Sequence, residues 1–88
     1  MSVFVGGSAY NMVRDVADGF VLVSERTFRS FSPRDITEFG TEAEKLLREV
    51  RSDQPALSDV VAIQKRQRKM QRLRQAMTMA FAAAARRA

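Results

Sequence analysis

Six cations fall within ten residues: Lys65, Arg66, Arg68, Lys69, Arg72 and Arg74, with no acid among them. Side chains of this kind do one chemistry, the binding of anions. A phosphate chain would gain affinity from each Lys or Arg that displaces its counterions. An acidic protein surface would be oriented and drawn in by the opposite charge. A solvated face is the plainer use of such a run, but like charges on adjacent turns repel, and solvated helices mix in acids. No aromatic residue interrupts the run, so within it nothing stacks on single-stranded bases.

Other chemistry is scarce. The 88 residues include no Cys and no His. That removes thiolate and imidazole metal ligands, disulfides, and the usual nucleophile and proton-shuttle pairs. Glu38 and Glu42 lie four apart on one helix face, but on a helix this charged they read as solvated surface. There is no Gly-rich phosphate loop and no large core to hold a site rigid. We assign no catalytic, cofactor-binding or metal-binding residue.

The elements that position the cations follow from the charge pattern. All ten acids lie at or before Asp59, while residues 60–88 carry eight cations and no acid. The break falls at Ser52-Asp53-Gln54-Pro55, where the proline disfavours helix at the residue before it. This divides the chain into a small unit over 1–54, with an amino-terminal arm, and a long basic helix over 55–88.

In the first unit, residues 1–7 read as an extended arm with a Gly6-Gly7 joint. Ser8 caps a short helix, Ala9 to Asp18, and Gly19 suits its left-handed end. Phe20-Val21-Leu22-Val23 and Thr27-Phe28-Arg29-Ser30-Phe31 read as strands, joined as a hairpin or continuous as one strand. Ser32-Pro33-Arg34-Asp35 then starts a helix that runs to about Arg51, with Ser32 as cap and Asp35 completing the capping box. Ile36, Phe39, Ala43, Leu46 and Val50 form its apolar stripe. Gly40, inside that stripe's helix, predicts close approach of another backbone. The fold expected is α+β and mostly α: short helix, small β element, helix, long basic amphipathic helix.

The last helix is expected from Ser58 to about Arg87, roughly 45 Å at 1.5 Å per residue. Its apolar side, Ile63, Met70, Leu73, Met77 and Phe81, falls within about a third of the circumference, with Lys65, Arg68, Lys69 and Arg72 beyond it. We read this stripe as an assembly seam, covered in part by another chain, because a small domain has little surface to hide so long a helix.

Residues 8–51, in the order helix, two strands, helix, with Phe28-Arg29-Ser30-Phe31 leading into Ser32-Pro33-Arg34-Asp35-Ile36, resemble the small head–tail joining proteins of tailed bacteriophages, the lambda W type. The resemblance implies a ring subunit between portal and tail, found in the virion. It covers about half the chain and transfers no functional residue. The long basic helix is an addition to that pattern.

The expected role is a non-enzymatic structural subunit of a larger assembly, with a phage neck as the favoured example. Its partners would be other protein subunits with an acidic surface, and the chain would be oligomeric. The alternative is a nucleic-acid-binding protein of ribosomal or DNA-associated type, using the 65–74 face. Residues 1–7 lack the basic region of a signal peptide, and no apolar run approaches the roughly 18 residues of a membrane span. Outside a virion, the cytoplasm is the expected location.

Overall fold

The computed structural model describes residues 2–86 and contains α1 (Ala9–Ala17), α2 (Pro33–Ser52) and α3 (Val60–Ala85), with a 3-10 turn, Glu25–Phe28, between α1 and α2. No strand occurs among the described residues. The α+β expectation is therefore corrected to an all-α fold, and the small β element at 20–31 does not form.

The reason lies in the spacing of two phenylalanines. Phe28 and Phe31 are both fully buried, while Arg29 and Ser30 between them are exposed. Residues three apart face opposite sides of a strand but share a side of a helical turn. Ser24 starts that turn: its amide donates to Thr27 Oγ1 at 3.0 Å, and the Thr27 amide donates to its carbonyl at 3.0 Å. The rings of Phe28 and Phe31 meet edge to face at 5.0 Å, as do those of Phe28 and Phe39. The turn thus seats an aromatic cluster on α2.

Residues 20–24 connect α1 to this turn and form no strand ladder among the described residues. Their side chains still alternate: Val21 and Val23 lean on the core, whereas Phe20 and Leu22 point outward. The arm also differs from expectation. It coils rather than extends, with the Gly7 amide donating to the Phe4 carbonyl at 3.0 Å and Phe4 buried 5.3 Å from the Phe31 ring.

The helix starts follow local chemistry. Ser8 Oγ accepts from the Asn11 amide at 3.1 Å. Ser32 and Asp35 exchange hydrogen bonds at 2.9 and 3.1 Å. The cap of α3 is Asp59, one residue later than expected, accepting from the Ala62 amide at 3.1 Å. Gly19, at φ 82°, closes α1 in the left-handed conformation that other residues avoid.

Contacts between helices fix their directions. Arg14 pairs with Glu49 at 3.3 Å, Arg72 reaches Ala17, Arg66 reaches Val50, and Phe81 lies over Gly40. The carboxyl ends of α1 and α2 therefore lie at the same end of the molecule, and α3 runs back antiparallel to both. What approaches Gly40 is the Phe81 ring, not a backbone: a Cβ there would sit 3.2 Å from its Cζ.

The side of α3 that is buried is not the expected stripe. Leu73, Ala76, Ala80 and Ala83 are buried. At 100° per residue their centre lies roughly 90° around the helix from the centre of the expected seam. Alanine wins because α3 packs into the angle between two helices, where small side chains permit close approach. Burial is also confined to its second half. From Val60 to Arg72 no residue is fully buried, so the first half of α3 lies along the edge of a molecule that measures 46 × 24 × 19 Å.

Candidate functional site

The cations of α3 meet the carboxyl ends of α1 and α2. A helix carboxyl end carries unpaired carbonyls and a partial negative charge, so cations belong there. Arg66 donates from Nε to the Val50 carbonyl and from Nη2 to the Arg51 carbonyl, both at 3.0 Å. Arg72 donates from Nη1 to the Ala17 carbonyl at 3.1 Å, and Lys69 Nζ pairs with Asp18 Oδ1 at 3.4 Å. Three of the six cations singled out in the sequence thus hold the fold together.

The other three are exposed. Lys65 and Arg68 stand beside Lys69 and Arg72, and with Asp18 and Phe20 these four line an open depression of about 430 Å³. Arg74 does not join them, because it lies about 200° around the helix from Arg72. The sequence-assigned face is thus a cluster of four, with Arg66 turned to α2 and Arg74 on another side.

The seam residues are dispersed in the same way. Leu73 is in the core, and Ile63, Met70 and Met77 are half-buried. Phe81 is 48% exposed and borders a second open depression, of about 540 Å³, with Met77 and Gly40. Most of this stripe is covered by the chain's own helices. Lys69 and Arg72 lie towards the buried side of α3, not opposite it, which is why both find partners within the chain.

The structure adds residues that sequence reasoning read as a strand. Phe20 is 80% exposed and Leu22 92% exposed, and both adjoin the basic cluster: Phe20 lines its depression, and Leu22 shares a small neighbouring cleft with Arg72. The available signal was the Gly19 helix end, which places the next residues at the foot of α1. A second exposed apolar group, Leu57, Val60 and Val61, marks the start of α3.

Among the described residues no three acids stand close enough to hold a metal, and no helix is long and apolar enough to cross a membrane. Among the described residues no buried side-chain nitrogen or oxygen lacks a hydrogen-bond partner. What the site can do is bind: four cations, one carboxylate and two exposed apolar side chains share one end of the molecule. Compared with known proteins, the chain matches no family model, no curated protein and no solved structure.

Proposed function

We propose that this chain is a non-enzymatic subunit of a multi-chain assembly. One observation carries the reading: beside a closed apolar core, Phe20, Leu22 and Leu57 stay 80–93% exposed. Exposed apolar groups rimmed by charge are what protein interfaces use. A polar side chain would cost the fold nothing at such positions, so apolar ones there fit contact with another chain. A virion neck is the assembly suggested by the resemblance over residues 8–51. The aromatic and capping run from Phe28 to Ile36 supports that comparison, while the two strands it also rested on do not form. The test is native mass, measured for the purified chain and for the chain co-expressed with the genes beside its own. A stable larger species is expected in at least one case. A single 9.9 kDa species in both overturns the reading.

A second reading has its own observation. The Phe20 ring stands beside Lys65 and Arg68, which supplies the aromatic that the basic run itself lacks. That combination suits single-stranded nucleic acid, with a base on the ring and phosphates on the cations.

A further inference from the structure

We infer that the face formed by residues 20–23 and the first half of α3 receives an acidic segment of a partner protein that also carries apolar side chains. This rests on the reading of the chain as an assembly subunit, and it names the chemistry of the partner at one surface.

The observations come from three groups that meet there. The first is charge. Lys65, Arg68, Lys69 and Arg72 surround the depression with a single carboxylate, Asp18, which Lys69 already engages at 3.4 Å. Lys65 and Arg68 have no ion pair among the described residues and remain available for a partner's carboxylates. The second is apolar anchoring. Phe20 and Leu22 project from alternate positions of an unpaired segment whose intervening side chains, Val21 and Val23, are held by the core. The anchors are therefore fixed at their base and free at their tips. The third is the main chain. The Leu22 and Val23 amides have no acceptor among the described residues, whereas the amides of Phe20, Val21 and Ser24 on either side are bonded within the chain. Unused donors between outward apolar side chains suit a partner running along this segment with its own carbonyls or carboxylates.

Charge complementarity selects the occupant. A second copy meeting this face about a twofold axis would set Lys65 and Arg68 against the same cations of its mate, an arrangement that like charge opposes. A nucleic acid would use the cations and Phe20, but it would leave Leu22 facing a polar strand and bring phosphates to Asp18. An acidic, apolar-bearing segment uses every group present: carboxylates on Lys65 and Arg68, apolar side chains on Phe20 and Leu22.

The probe is a dye-labelled peptide alternating Leu and Glu, read by fluorescence anisotropy on the full chain at about 0.15 M salt. Saturable binding is expected, with none for a Leu/Lys or a Ser/Glu peptide. Lys65→Gln with Arg68→Gln should weaken it roughly tenfold, and Phe20→Ser with Leu22→Ser by at least as much, since anchors at an interface centre dominate affinity. All four positions are exposed or lie outside the core, and circular dichroism checks that each variant keeps its helices. Arg34→Gln serves as a control away from this face and should bind like wild type. No binding of the Leu/Glu peptide, or equal binding by all variants, overturns the inference. So does a dimer that Leu22→Ser dissolves, or an oligo-deoxythymidine that binds saturably and is lost with Phe20→Ser. The native-mass experiment separates the two proposals: a larger species that survives Lys65→Gln, Arg68→Gln, Phe20→Ser and Leu22→Ser combined in one chain leaves the subunit reading standing and removes this one.

Discussion

Two glycines show how the same substitution takes opposite signs. Gly19 has φ 82°, and a Cβ there would lie 3.0–3.1 Å from the Arg72 guanidinium. Gly19→Ala therefore strains the backbone and pushes at the group that satisfies the end of α1. It should destabilise by more than about 1 kcal/mol. Gly40 is helical, and a Cβ there would lie 3.2–3.4 Å from the Phe81 ring, which is half exposed and free to move by the few tenths of an ångström required. Gly40→Ala gains helix propensity worth about 1 kcal/mol, so it should be neutral or stabilising by less than that amount. Urea denaturation of the two variants checks both signs. Gly19 was legible in the sequence as a helix end. The partner of Gly40 was not, because a ring from a residue 41 positions away leaves no local mark.

At the scale of elements, the starts of α1 and α2 were readable because caps are local, and that of α3 was misplaced by one residue, at Ser58 instead of Asp59. Ser8, Ser32 and Asp35 act within four residues of themselves. Ser32→Ala should cost about 1 kcal/mol. The segment 20–31 was misread because β-branched and aromatic residues describe a half-buried surface, not a partner strand. Its true signal was the three-residue spacing of Phe28 and Phe31. Phe28 is fully buried and meets both Phe31 and Phe39. Phe28→Ala should therefore cost about 3–5 kcal/mol, read as a lowered midpoint in thermal or urea melts. A loss under about 1 kcal/mol would mean that the 3-10 turn is not part of the core.

On the buried side of α3, Leu73 was legible as part of the apolar stripe, and the alanines beside it were not. Which side they faced depends on two other helices and could not be read from α3 alone. Likewise the basic run was found in the sequence, but not its division. Arg66 and Arg72 reach helix ends at residues 50–51 and 17, contacts made only once the chain has folded.

For the whole molecule, packing is uneven along α3. Its second half holds all four of its buried residues, while the first half is bound at one edge by Arg66, Lys69 and Arg72. Local opening follows local burial. Amides from Ile63 to Arg68 should exchange with solvent roughly tenfold faster, or more, than those from Ala76 to Ala83. Hydrogen exchange followed by mass spectrometry would show this, and uniform protection along the helix would contradict the packing described. If an acidic segment binds the first half, protection there should rise to match the second.

The alanine stripe has one more consequence, for register. Advancing α3 by one turn would bring Met77, Ala80 and Ala84 to the places of Leu73, Ala76 and Ala80, a change that keeps the contact apolar; only at Ala83 would a charged residue, Arg87, arrive. Among the described residues no buried polar side chain tells one setting from the next. The guanidinium groups of Arg66 and Arg72 do, since a one-turn slip would put Met70 and Ala76 where they now grip the ends of α2 and α1. These two arginines act as index pins for a helix that could otherwise slide. Arg66→Met with Arg72→Met should leave helix content nearly unchanged yet replace one set of methyl resonances by several, as α3 samples more than one setting against the same smooth core.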